Sequence, residues 1–263
     1  MKLVLCLHGL AGFGLVENFF AYGFLDRKSV KVFTYDGPEN EPTRMFCKAL
    51  AIECATSSIN SAVGVCEAFE PDVIVSCHYR HRISEGVIKS AKFGGLNIHP
   101  SLLPLLRGCF SVPWAILSGL EQTGFSIHRM TSAFDAGNIV IQEKVEIKSC
   151  DTAYSLFHKL RVLGVARMCQ AVELLVGGYK GLSQPECDRP ELAYFPRSLP
   201  YDGKILSKDV SLEFASRFVR AMYFPPHKPA IIVGSDGLEH EVSTTDQLER
   251  MSGNELVFRE CCS

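Results

Sequence analysis

The 263-residue sequence has no C-x-x-C pair, although it carries 11 cysteines, so neither a zinc ribbon nor a redox dithiol is signalled. Its eight histidines include no H-x-x-x-H pair at helical ligand spacing, and no metal constellation is expected. No apolar run reaches the ~20 residues that a membrane span requires; the longest uncharged stretches, such as 108–120, fall short. There is no excess of one charge, because 27 Lys+Arg stand against 29 Asp+Glu. A net charge of -2 gives no global basic field for nucleic acid or an anionic membrane. Internal repeats and low-complexity tracts are also missing.

What is present is a globular chain, 47% hydrophobic and 21% charged, of a length that fits one or two domains. The cysteines lie mostly in apolar context, as in LVLCLHG around Cys6 and DVIVSCHY around Cys77. They read as buried free thiols in a reducing, cytoplasmic setting. Lys2 followed by Leu3–Leu7 imitates the start of a signal peptide, but the run is short and a glycine-rich segment follows. A first buried strand is the better reading.

The first two thirds of the chain alternate strand-like and helix-like runs. Strands are expected at 3–7, 30–35, 73–77, 96–99, 124–130 and 139–147, and helices after residue 16 and at 43–52 and 59–69. Ser84 reads as one N-cap, and Asp151 or Thr152 as the cap of a long helix ending near Gly177-Gly178. The alternation implies an α/β fold: a Rossmann-like, doubly wound, mostly parallel sheet with helices on both faces. Residues 178–200 are rich in Pro, Gly and polar side chains and mark a connector. The expected division is therefore a catalytic domain at 1–180 and a small C-terminal α+β extension at 181–263. The extension should hold one helix at 212–222 and two or three strands among 230–233, 238–242 and 255–259, with a hairpin turn at Asp236-Gly237.

Glycines 9, 12 and 14 follow the first strand in the order G-x-x-G-x-G, which is not a dinucleotide fingerprint and reads as a tight strand-to-helix turn. The segment 95–104, GLNIHPSLLP, is richer in chemistry. In a strand, Asn97 and His99 project from one face. An amide donor beside an imidazole can stabilise an oxyanion and move a proton. Asp135 lies in FDAG between two expected strands, placed to orient an imidazole or take a proton, and Arg107-Gly108 closes the proline loop.

The ordered set N-x-H-P-S-L-L-P-x-x-R-G followed by D-x-G resembles the formyltransferases that use N10-formyltetrahydrofolate. HYRHRI at 78–83, IHRM at 127–130, DAGNIV at 135–140 and DTA at 151–153 look like the sugar N-formyltransferase branch, with the UDP-4-amino-4-deoxy-L-arabinose formyltransferases as the nearest likeness. The likeness is firm over about 70–177; RSLPYDGK at 197–204 and FVRA at 218–221 resemble the start of that branch's accessory domain. The resemblance implies Asn97, His99 and Asp135 as catalytic residues, and no metal. It implies a folate site built from His81, Arg82, Ile83, Leu103, Thr131, Ser132, Ala133 and Phe134. Where the near relative has an arginine after the R-G pair, this chain has Cys109.

Within that family the substrates differ. Residues 178–263 hold 10 Lys+Arg and 13 Asp+Glu, a poor clamp for tRNA, which argues against a methionyl-tRNA formyltransferase. Glycinamide ribonucleotide enzymes lack such a tail. Formyltetrahydrofolate hydrolases carry an N-terminal regulatory domain, whereas this chain starts with its first strand. The expected substrate is therefore a dTDP- or UDP-linked amino sugar, formylated for a surface polysaccharide such as the O-antigen of lipopolysaccharide. A binding module without turnover is the remaining alternative, and the Asn97/His99/Asp135 set argues against it. The tail is expected to complete the substrate pocket or form a homodimer contact through 222–226, MYFPP.

Overall fold

The computed structural model of the chain describes residues 1–24, 26 and 28–259. Its elements are β1 (Leu3–Leu7), α1 (Gly9–Ala21), β2 (Val30–Phe33), α2 (Glu41–Ala49), β3 (Glu53–Ala55), α3 (Val63–Phe69), β4 (Val73–Cys77), α4 (Glu85–Ser90) and β5 (Gly95–His99). The chain continues through β6 (Arg107–Gly108), α5 (Ser111–Leu117), β7 (Gln122–Arg129), β8 (Ile139–Glu146) and α6 (Ala153–Val176). The extension adds β9 (Tyr194–Phe195), β10 (Lys204–Leu206), α7 (Leu212–Met222), β11 (Ala230–Val233), β12 (Glu239–Val242) and α8 (Thr245–Met251).

The central sheet has the order β3-β2-β1-β4-β5-β7-β8. Its first five strands are parallel, and β7 and β8 are antiparallel. All five residues of β1 and of β4 are buried, as continuous apolar runs covered on both faces should be. The chain reverses its direction of growth between β1 and β4, and such a switch point leaves a crevice beyond the carboxyl ends of the strands. His8, His78 and His99 stand at or just past the ends of β1, β4 and β5.

Local chemistry fixes the helices. The Ser84 hydroxyl accepts from the Val87 amide at 3.4 Å and starts α4. Of the two expected caps of α6, Thr152 fills the position: its hydroxyl accepts from the Ser155 amide at 3.2 Å, and the Ser155 hydroxyl returns the contact to the Thr152 amide at 3.0 Å. Two glycines let helices sit directly on strands. A side chain at Gly12 would meet the Leu7 Cβ at 2.7 Å, and one at Gly164 would meet the Ile98 Cδ1 at 2.2 Å. The second contact lays α6 on β5, the strand that carries Asn97 and His99.

Several expectations change. The strands β3 and β10 and the helices α5 and α8 were not expected, being short and without a clear period. No strand forms over 255–259; that stretch makes a single bridge, Ser252 to Leu256, because the chain turns at 253–255 before it can pair. Cys6, Cys47, Cys66, Cys77 and Cys169 are buried and free, whereas Cys150 is exposed; Cys261 and Cys262 lie outside the described residues.

Val112 and Ile116 of α5, Leu156 and Leu160 of α6, and Phe218, Val219, Ile232 and Leu248 of the extension form one apolar cluster. Trp114, the sole tryptophan, packs against it. Phe218 is fully buried, so Phe218→Ala should cost about 3–5 kcal/mol. Because the cluster is shared, denaturant titrations followed by Trp114 fluorescence and by circular dichroism should shift together as one transition. Two separated transitions would show that the extension unfolds alone.

Candidate active site

The strand β5 sets Asn97 and His99 on one face, and β7 completes it. Asn97 pairs across the ladder with His128, and His99 with Ser126. The proline loop after His99 is bolted to these strands. Ser126 Oγ donates to the Ser101 carbonyl at 2.7 Å and accepts from the Leu103 amide at 3.1 Å. Gln142 Nε2 donates to the Leu103 carbonyl at 3.0 Å. Leu106 closes the loop in the left-handed region, with φ 58°, and its carbonyl accepts from His99 Nε2 at 2.7 Å.

Asp135, also left-handed at φ 49°, brings its carboxylate to the same point. Oδ2 accepts from the Gly108 amide at 2.9 Å and lies 3.5 Å from His99 Nδ1. Oδ1 lies 3.3 Å from His128 Nε2 and 3.4 Å from Asn97 Nδ2. His128 Nδ1 donates to the Arg129 carbonyl at 3.0 Å, and its Nε2 lies 3.1 Å from Asn97 Nδ2. Asn97, His99 and Asp135 are thus brought together, as the motif implied.

The electrostatics follow from burial. Burial pushes the Asp135 carboxyl up, but His99, His128 and the Gly108 amide outweigh it and hold the carboxyl well below the usual carboxylate range. Burial lowers His99, and the Asp135 charge and the Leu106 carbonyl offset only part of that. The pair at neutral pH is a carboxylate beside a neutral imidazole. Since Nε2–H is committed to Leu106, Nδ1 carries the lone pair. A 3.5 Å gap between two acceptors is too long and lacks a proton for a direct bond, but it suits a donor placed between them.

The expected folate residues divide. Arg82 Nη2 donates to the Ser132 carbonyl, and the Arg82 guanidinium lies over the Phe134 ring, 5.6 Å from its centroid. The segment at 81–83 and the loop at 131–134 therefore touch, next to Asp135. Thr131 Oγ1 donates to the Ala133 carbonyl at 3.0 Å and shapes that loop. His81 is exposed, with Nδ1 at 3.1 Å from the Tyr35 hydroxyl. Ile83 and Leu103 are buried, and Ile83 belongs to the apolar cluster of Val4, Ile74 and Val87. Cys109 is half-buried and its amide donates to the Phe195 carbonyl at 3.0 Å.

Sequence reasoning gave no role to His128 or the Leu106 carbonyl. His128 was detectable: Gly124, Ser126 and His128 are polar or small at every second position of a strand that is otherwise buried. The Leu106 contact depends on a backbone turn that composition does not encode. Among the described residues no group of three or more His, Cys, Asp or Glu is arranged to hold a metal ion, and no helix is long and apolar enough to cross a membrane. A groove of about 420 Å³ at the other end of β5, lined by Lys89, Lys92, Arg129 and Lys180, contains none of the site residues.

His78 has its ring edge-on to Phe157 at 5.2 Å and is lowered to about 4, first by burial and then by the charges of His99 and His8. Its unfolded value is about 6.5, so as pH falls below that the unfolded chain takes a proton that the folded chain refuses. Stability is therefore lost from about pH 6.5 down to the folded value. His78→Gln should flatten the decline of the urea midpoint between about pH 6.5 and 4. An unchanged slope in the variant would show that His78 is not kept neutral.

Comparison with known proteins gives the family of the chain. The family model described as formyl transferase matches residues 26–172. GDP-perosamine N-formyltransferase of Brucella melitensis is 41% identical over 178 residues, which cover 68% of this chain and 66% of that protein's length. The crystal structure of WlaRD, a sugar 3N-formyl transferase, superimposes with a TM-score of 0.71 at 19% identity, covering 88% of this chain and 82% of that one. That of a 4-N formyltransferase from Francisella tularensis gives 0.71 at 22% identity, covering 92% and 96%. The two structures share the fold of a mostly parallel central sheet with helices. With more than half of its length matched by the family model, and with Asn97, His99 and Asp135 gathered at one point, the chain belongs to the formyl transferase family.

Proposed function

We propose that the chain transfers the formyl group of N10-formyltetrahydrofolate to the amine of a nucleotide-linked amino sugar. The observation that carries this reading is one amide donor and one bare imidazole nitrogen, each within 3.5 Å of one ionised carboxylate. Such a site offers two acceptors to an incoming amine and one donor to a developing oxyanion. The relatives whose names specify an amino sugar, GDP-perosamine above all, support this choice of nucleophile.

In the proposed reaction the substrate ammonium releases one proton to solvent as it enters, and the Asp135 carboxylate and His99 Nδ1 hold the resulting neutral amine. The amine nitrogen then bonds to the formyl carbon. The Asn97 contact to Asp135 is long at 3.4 Å, so that N–H turns readily to the formyl oxygen as negative charge builds there. His99 carries a proton from the amine to the departing folate nitrogen, which restores neutral imidazole. Arg82, Phe134 and the backbone of 131–134 form the wall on which the folate would lie, beside His81 and above the buried Ile83 and Leu103. The free thiols support a cytoplasmic setting, and the sugar class supports a product built into a surface polysaccharide.

The test mixes purified protein with N10-formyltetrahydrofolate and GDP-, dTDP- and UDP-linked amino sugars, following tetrahydrofolate release and product mass. One sugar should gain one formyl group. His99→Ala and Asp135→Ala should fold and yet lose at least about 10²–10³ in kcat. Release without any amine would identify a hydrolase instead, and formylation of methionyl-tRNA alone would overturn the choice of substrate.

A further inference from the structure

The connector between α6 and β10 reaches into the site along two routes. One is a single side chain. Gln184 Nε2 donates to the Asp135 carbonyl at 2.7 Å and to the Gly137 carbonyl at 2.8 Å. Its Oε1 accepts from Arg107 Nε at 3.2 Å and Nη2 at 2.6 Å. The other route is backbone. The amides of Leu106, Arg107 and Cys109 donate to the carbonyls of Leu192 at 2.7 Å, Ala193 at 3.1 Å and Phe195 at 3.0 Å. Trp114 stacks on Phe195, with ring centroids 4.1 Å apart, and fixes that end of the connector.

The segment so held, 106–109, supplies both groups that orient the catalytic pair. They are the Leu106 carbonyl on His99 Nε2 and the Gly108 amide on Asp135 Oδ2. Its fit is tight: Gly108 has φ 90°, and a side chain there would meet the Phe195 carbonyl oxygen at 2.2 Å. Gln184 grips the opposite side, the backbone of Asp135 itself, whose left-handed φ needs outside support. All of these contacts come from residues beyond the 26–172 segment of the family match.

We infer that Gln184 is a positioning residue for the formyl transfer proposed above, and that the connector is part of the catalytic unit. A glutamine is required because only an amide can donate two N–H bonds to the Asp135 and Gly137 carbonyls while accepting from Arg107. Glutamate would keep the Arg107 contact and set a carboxylate oxygen against two carbonyl oxygens. Alanine would release both. In either variant the Asp135 carboxylate loses its fixed distance to His99. That carboxylate raises the proton affinity of His99, so its displacement should lower the pH at which His99 titrates.

The experiment compares wild type, Gln184→Glu and Gln184→Ala by steady-state kinetics and by long-range proton–nitrogen NMR of His99 across pH. Near-wild-type circular dichroism serves as the fold check, and Gln184→Glu is the variant that keeps the Arg107 anchor if alanine unfolds. Both variants should lose about 10²-fold in kcat, the effect of misplacing a catalytic group by about 1 Å. KM for donor and amine should stay within about threefold, and His99 should titrate at lower pH. Wild-type kcat in Gln184→Glu, a loss confined to KM, or an unmoved His99 titration would overturn the positioning role. If wild type itself forms no formylated product, the proposed reaction fails, and the His99 titration still decides the role of Gln184.

Discussion

The site depends on the hydrogen bond from His99 Nε2 to the Leu106 carbonyl. It spends one edge of the imidazole on the protein and leaves the other, Nδ1, as the working edge. It also fixes which nitrogen carries the proton, because a carbonyl can only accept. Move the proton to Nδ1 and the Nε2 lone pair would face the Leu106 carbonyl, leaving a buried acceptor without a partner, at a cost of about 1–3 kcal/mol. Burial keeps the ring neutral, and its tautomer and its aim at Asp135 follow from where one backbone carbonyl points.

Holding that carbonyl in place has a conformational cost. Leu106, Phe110 and Asp135 all sit in the left-handed region around the site, as does His78 at the end of β4. Residues in sparsely populated backbone regions persist where surrounding structure over-determines them, each at about 1–3 kcal/mol. Here the support is identifiable. Ser126 and Gln142 bolt the proline loop to β7 and β8, and the connector holds 106–109 and 135–137 from the other side. The strain is stored around the proposed site, and the antiparallel end of the sheet and the connector carry it.

The sequence disclosed the parallel half of the fold and the identity of the three central residues. Val73–Cys77 announces itself as a doubly covered strand, and Asn97 and His99 share a face by the two-residue period of a strand. What stayed hidden has a common physical character. The strand β3 and the helices α5 and α8 have three to seven residues, too few for a period to declare itself. The stretch 255–259 reads as a strand by composition yet follows a turn that denies it a partner. The Leu106 carbonyl, the Gly108 amide and the Asp135 backbone act through main-chain groups that every residue carries. Their roles come from φ angles and long-range contacts, which only the folded chain contains. His128 is the intermediate case, legible by alternation in β7 once its register against Asn97 is known.

The measurement that bears most directly on this arrangement is the tautomer of His99 in the resting protein at neutral pH, read from long-range proton–nitrogen NMR of the ring. The structure requires a neutral imidazole protonated at Nε2 with a bare Nδ1. A ring protonated at Nδ1, or an imidazolium at that pH, would contradict it, since neither leaves an acceptor facing Asp135 to receive an incoming amine.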